Sequence, residues 1–149
     1  MDASTVDRAK VTQVLADFAV RSAPGDVPAP VYKEAVRSFL NWTGCAVGGS
    51  IHPTIDNALA AIRPFAGPGQ ASVLGRGDKL DLLHAALVNG ISSHVFDFDD
   101  THLKTIIHPA GPIASALLPL AETRQMSGRD FLHAFILGVE VECRIGNAV

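Results

Sequence analysis

The chain has 149 residues, enough for one packed core. Hydrophobic residues make up 48%, charged residues 18% and aromatic residues 6%, a balance that disfavours intrinsic disorder and suits a packed protein rich in alanine and leucine. The formal charge of -3, from 12 Lys+Arg against 15 Asp+Glu, leaves no basic surplus for a phosphate backbone and argues against a nucleic-acid partner.

In chain order, Val11, Val14, Leu15 and Phe18 recur at helical spacing and predict a helix from about Thr5 to Ser22 with one buried stripe, ended by Ala23-Pro24-Gly25. Pro30 suits the first position of a second helix. Its inner face is predicted to hold Ala35, Val36, Phe39, Leu40, Thr43, Ala46 and Val47, and Gly48-Gly49 stops it. His52-Pro53-Thr54 opens a short third helix with Ile55, Leu59 and Ile62 inward, and Pro64 to Gln70 is a proline- and glycine-rich loop. Ala71 to Gly75 is extended at best. Asp78 is the expected N-cap of a fourth helix whose buried stripe is Leu80, Leu83, Leu87, Ile91 and Val95.

A fifth helix after Pro109 to Pro112 carries Ile113, Ala116, Leu117, Leu120 and Ala121, with Pro119 in its interior. Ser127 and Asp130 resemble a capping box opening a sixth helix. Phe131, Leu132, Phe135, Ile136, Val139 and Cys143 share one side of it, and Glu140 can pair with Arg144 one turn on. No stop signal precedes Val149, so the chain is expected to be the first part of a longer protein. Without repeats or alternating strands, the fold class is all-α, about six helices in a single helical domain over residues 1–149.

No apolar run approaches the roughly 20 residues of a membrane span, so no membrane partner is expected. Cys45 and Cys143 lie in apolar helical patterns without metal-ligand spacing and read as reduced core residues of a cytoplasmic protein.

The chemistry concentrates between His94 and His108, which hold three histidines and the carboxylates of Asp97, Asp99 and Asp100. Carboxylates beside imidazoles make a donor and an acceptor of protons near neutral pH, the parts of a general acid–base site. Thr101 adds a hydroxyl and Lys104 a cation; Phe96, Phe98, Ile106 and Ile107 offer apolar walls. Backbone N–H groups opening the fifth helix could face an anion, so an anionic substrate fits these parts.

Plainer readings stand beside this one. The three aspartates could cap helix ends, Asp100 above all, and Lys104 could be an ordinary solvated lysine. His94 follows Ile91 on the core-facing stripe and fits a core histidine as well as a site residue, while His52, His84 and His133 read as structural or exposed. The run lacks the glycine and distal glutamate of a calcium loop, and no zinc-protease His pair is present, so no metal ligand is assigned.

Ala71-Ser72-Val73-Leu74-Gly75, Ala85-Ala86-Leu87-Val88-Asn89-Gly90, Asp97-Phe98-Asp99-Asp100-Thr101-His102, His108-Pro109 and Gly138 to Gly146 occur in the order, and at nearly the spacing, of the MmgE/PrpD family. The chain therefore resembles that family, which includes 2-methylcitrate dehydratase, cis-aconitate decarboxylase and iminodisuccinate epimerase. The resemblance implies the first part of a helical domain in a protein about three times longer, with a smaller α/β domain inserted further on. It also implies a homodimer and a lyase or isomerase that moves a proton next to a carboxylate in a small di- or tricarboxylate, without metal or organic cofactor. Residue by residue it places Asp97, Thr101 and His108 in the active site, with His102 and Lys104 as substrate-binding neighbours. Asp97 would orient or tune a base, Thr101 would hydrogen-bond a substrate carboxylate, and His108 would contact substrate.

Two departures matter. Ala110 stands where members of the family often have serine after the His-Pro pair, and the family's second active-site histidine and its lysine lie beyond the equivalent of Val149. The competing readings are a catalytically inactive helical module that binds a carboxylate or associates through an exposed apolar face, and, third, a metal-dependent hydrolase.

Overall fold

The computed structural model describes residues 10–148. Six α-helices order them: α1 Val11–Arg21, α2 Ala29–Gly49, α3 Pro53–Ile62, α4 Leu82–His94, α5 Ala110–Thr123 and α6 Gly128–Gly146. A 3-10 turn, Arg63–Phe65, follows α3. The all-α expectation holds, with one small addition: β1 Ala71–Ser72 and β2 Lys79–Leu80 pair antiparallel, Ala71 opposite Leu80 and Ser72 opposite Lys79. The part of the first predicted helix before residue 10 lies outside the described residues.

Two apolar clusters hold these elements. In one, Ile55 and Leu59 of α3 meet Ala71, Val73 and Leu80 of the hairpin and Ala85 and Val88 of α4. In the other, Ala35 and Trp42 of α2 meet Ala110 and Ala114 of α5 and Phe135 of α6, with Phe39, Leu132, Ile136 and Val139 packed around them. The inward residues predicted for α3 and most of those for α6 are therefore found there. Phe39 adds ring contacts with Trp42 at 5.6 Å and Phe131 at 4.9 Å.

Three local expectations change. Asp78 does not cap α4: it pairs with Arg63 and Arg76. The cap is Asp81, whose Oδ1 accepts the amides of Leu83 and His84 at 3.1 and 3.2 Å. The hairpin takes up Leu80, which starts α4 later and turns Leu83 (81% exposed) and Leu87 outward. The inner face of α4 is instead Ala85, Val88, Asn89, Ser92 and Ser93. Small side chains dominate because α2 crosses so closely: a Cβ on Gly49 would collide with the carbonyl oxygen of Ser92.

The stripe predicted for α1 is not buried, and Val36, Leu40 and Val47 of α2 are exposed while Trp42, absent from the predicted face, is fully buried. Helical spacing shows that an apolar stripe exists but not which neighbour covers it. Asn89 is buried with both ends satisfied, donating to the carbonyl of Ser72 and accepting from the amide of Leu74, each at 2.9 Å. It fastens the hairpin to α4. Gly75, at φ +73°, lies where a side chain would strike Ser50.

The histidines read as structural behave so. His52 caps α3 through the amide of Thr54, His84 pairs with Asp81 at 2.6 Å, and His133 meets Ser22 Oγ at 3.0 Å. Ser127 accepts from the amide of Asp130 at the start of α6, and Arg144 donates to Glu140 at 2.7 Å, as predicted. Both cysteines are free and half-buried, and burial pushes both thiols up from their ordinary range. No helix among the described residues is long and apolar enough to cross a membrane.

Candidate active site

The site forms where α4 stops. The amide of Asp97 donates to the carbonyl of His94 at 2.9 Å, and Asp97 takes the left-handed conformation, φ 57°. Aspartate tolerates that region better than a bulky residue, at a strain of about 1 kcal/mol. The reversal brings Asp99 back beneath the last turn of α4, where its side chain is only 1% exposed.

A buried carboxylate needs partners. His94 Nδ1 lies 2.9 Å from Asp99 Oδ1 and 3.2 Å from Oδ2. His108 approaches from the far end of the loop, its Nδ1 3.4 Å from the same Oδ1 and its Nε2 3.6 Å from Oδ1 of the exposed Asp97. The rings of His94 and His108 meet edge on, centroids 4.8 Å apart. Yet His108 Nδ1, itself buried, makes no hydrogen bond: Asp99 is aligned with His94. That hydrogen bond is the main reason the His94 imidazolium is favoured and its pKa raised above 6.5; desolvation opposes it, and the charges of Asp99 and Asp97 assist.

Asp100 faces the other way. Its Oδ2 accepts from Ser38 Oγ of α2 at 2.8 Å and its Oδ1 from the amide of Ala110 at 3.1 Å. This is the structural reading of Asp100, and it corrects the idea of an open anion site at the start of α5. The amide of Ala110 is taken by Asp100, that of Gly111 by the carbonyl of His108 at 3.2 Å, and Pro112 has none.

His102 belongs to a turn of its own. Its amide bonds the carbonyl of Ile107 at 2.9 Å, closing residues 102–107, and its ring Nδ1 meets Thr105 Oγ1 at 2.6 Å. Its ring is therefore not joined to the His94–Asp97–Asp99–His108 group. Thr101 and Lys104 are exposed, and neither side chain has a hydrogen bond or ion pair among the described residues. Phe98 and Ile106, predicted as apolar walls, are 79% and 78% exposed; Phe96 is exposed too and meets the ring of His52.

So the structure joins Asp97 and His108, leaves Thr101, His102 and Lys104 on the surrounding loop, and adds Asp99 and His94. The sequence did hold a signal for that pair: a histidine in the last turn of a helix with a carboxylate five residues on, past the stop. One donor atom from each of His94, Asp97, Asp99 and His108 lies within 4.8 Å of the others, so the group that can share a proton could also share a divalent cation. An open apolar groove of about 580 Å³ between α4 and α5, lined by Leu87, Ile91, Val95, Pro112 and Ala116, ends at His94.

Residues 13–149 match the MmgE/PrpD N-terminal domain. The chain belongs to the MmgE/PrpD family. Among its relatives, a cis-aconitate decarboxylase-like protein oryM of Aspergillus oryzae is 31% identical over 93% of this chain and 30% of its own length. The cis-aconitate decarboxylase of Aspergillus terreus is 30% identical over 93% of the chain and 29% of its own length. The Mus musculus cis-aconitate decarboxylase is 42% identical over 77% of the chain and 24% of its own length. The chain thus spans less than a third of the length of these curated MmgE/PrpD relatives.

Proposed function

We propose that this chain supplies part of the active site of a cytoplasmic, homodimeric MmgE/PrpD lyase or isomerase, which moves a proton on carbon next to a carboxylate of a small di- or tricarboxylate. The observation that carries this reading is the meeting of His108 with two carboxylates, one exposed at 3.6 Å and one buried at 3.4 Å. An imidazole with an exposed edge can take or return a proton there. Asp97 tunes that imidazole, Thr101 hydrogen-bonds a substrate carboxylate, and His102 and Lys104 face the substrate from the loop.

The chemistry balances without an oxidant or reductant. For dehydration, the C–H electron pair becomes the new C=C as the C–O pair leaves with hydroxide, which the abstracted proton converts to water. In decarboxylation the C–C pair passes to carbon, which takes up a proton as carbon dioxide departs. For epimerisation the proton leaves one face and returns to the other.

Three of the relatives named above have cis-aconitate in their names, a tricarboxylate, which supports this substrate class. The share of the relatives' length that is spanned supports placing the chain in the first part of the helical domain of a larger two-domain protein. A second reading, a carboxylate-binding or interaction module without turnover, is favoured by the outward apolar face at Leu83 and Leu87, beside the groove that ends at His94.

The test is NMR of the folded chain in deuterated water with cis-aconitate, citrate, methylcitrate and an aspartate-like dicarboxylate. Deuterium exchange or product that His108→Ala abolishes supports the enzymatic reading. Binding without exchange fits both the module and one part of a larger active site, and neither binding nor exchange means that these residues do not by themselves hold the carboxylate. Activity unchanged in His108→Ala removes His108 from the mechanism, and activity lost to a strong chelator would bring back the metal-dependent reading.

A further inference from the structure

Asp99 is a single buried carboxylate with two imidazoles within reach. His94 Nδ1 stands at 2.9 Å and is hydrogen-bonded; His108 Nδ1 stands at 3.4 Å and is buried with no partner. The two rings meet at 4.8 Å and His108 Nδ1 is already within reach of the carboxylate, so reorienting Asp99 would exchange one partner for the other. Which imidazole holds Asp99 decides where His108 carries its proton, because a neutral imidazole has one N–H, and a carboxylate on Nδ1 fixes it there.

We propose that His94 is a positioning residue that sets the tautomer of His108 by keeping the shared carboxylate of Asp99 for itself. With Asp99 aligned on His94, Nδ1 of His108 makes no hydrogen bond and the proton sits on Nε2, beside Asp97. His108 then presents an N–H to the exposed edge of the site as a hydrogen-bond donor. Without His94, Asp99 takes the Nδ1–H of His108, and Nε2 becomes a bare acceptor. The same histidine changes from hydrogen-bond donor to acceptor at its exposed edge without any change in its own position in the chain.

The inference rests on the acid–base reading for its use in turnover, but not for the geometry, and its test needs no substrate. Long-range proton–nitrogen correlation of the histidine rings, in the 149-residue chain with chelator present and at mildly alkaline pH, reads each tautomer directly. The wild type is expected to show Nδ1–H on His94 and Nε2–H on His108. His94→Phe, which keeps a ring against His108 but removes the donor, is expected to move the His108 proton to Nδ1, as is His94→Ala if it keeps the helical circular dichroism. His94→Asn, whose amide nitrogen can stand near the place of Nδ1, is expected to restore Nε2–H.

Wild-type His108 protonated on Nδ1, or His108 staying Nε2–H in a folded His94→Phe or His94→Ala, overturns the proposal. If neither variant folds, the wild-type and His94→Asn spectra decide it by the same two patterns. Titration with cis-aconitate in the same samples keeps the two ideas apart. A tautomer shift without carboxylate binding leaves this inference standing and denies the chain a carboxylate site of its own, and carboxylate binding without a shift overturns this inference alone.

Discussion

The hydroxyl of Ser38 donates to Oδ2 of Asp100 across 2.8 Å, joining the middle of α2 to the loop that follows α4. The other oxygen of the same carboxylate accepts the first amide of α5. One side chain therefore ties α2 and the start of α5 to the loop that carries Asp97 and Asp99. Asp99, its neighbour, is left free to face the two histidines, so adjacent aspartates divide the work of holding the loop and of charging the site.

Losing that tie has a measurable cost. Asp100→Ala removes a helix-end cap worth about 1 kcal/mol and a half-buried hydrogen bond worth about as much, so urea unfolding should show a loss of about 2 kcal/mol. Ser38→Ala should lose about 1 kcal/mol. The double variant should lose clearly less than the sum of the two; strict additivity would mean the two side chains are not coupled.

The start of α4 distinguishes two aspartates only three residues apart. Asp81→Ala should cost about 1 kcal/mol through its cap, whereas Asp78→Ala, which breaks partly exposed ion pairs, should cost less than half of that. The hydrogen bond from His84, and then the amides of Gly67 and His84, hold the Asp81 carboxyl at about 2 rather than 3.8. A carboxyl lowered on folding adds stability above its ordinary value and loses it as the pH falls through the folded one. The gap between wild type and Asp81→Ala should therefore close as the pH falls from about 4 toward 2 in acid unfolding curves.

Gly49 is the place where α2 and α4 admit no side chain. Gly49→Ala should cost about 3 kcal/mol, since its Cβ must push the backbone at Ser92 aside, and Gly48→Ala, with open space at the same point, should cost little or even stabilise the helix. Equal melting temperatures for the two variants would contradict the close crossing.

His94 gains its partner on folding, which raises its pKa above 6.5. A group raised in this way contributes stability that is fully present below the unfolded value and is lost as the pH rises through the folded one. The melting temperature should fall as the pH rises above 6.5 in the wild type, and His94→Phe should flatten that slope. An unchanged slope would mean that the Asp99 contact does not favour the imidazolium.

Much of the fold was legible because its signals are local. Pro30 stands in the first turn of α2, one residue after its start, Ser127 with Asp130 opens α6, and Ile55 and Leu59 repeat at the spacing that buries them. The errors fell where a second element changed the outcome. Lys79 and Leu80 were drawn into a hairpin with Ala71 and Ser72, which moved the cap of α4 from Asp78 to Asp81 and rotated its inner face to the small residues that α2 can approach. An amphipathic pattern carries no record of its partner, so Val14 and Phe18 of α1 could be read as apolar but not as exposed.

By itself the sequence determined the helices, the family and the segment in which the titratable groups crowd, because caps, apolar periods and motifs are written in neighbouring residues. Only the tertiary structure decided how that segment is divided. Whether Asp99 faces an imidazole or a helix end, and whether Asp100 serves the site or its frame, depends on a left-handed turn at Asp97 and on Ser38, 62 residues away in the chain. Charges act through distance in space, and spacing along the chain does not set that distance once the backbone reverses.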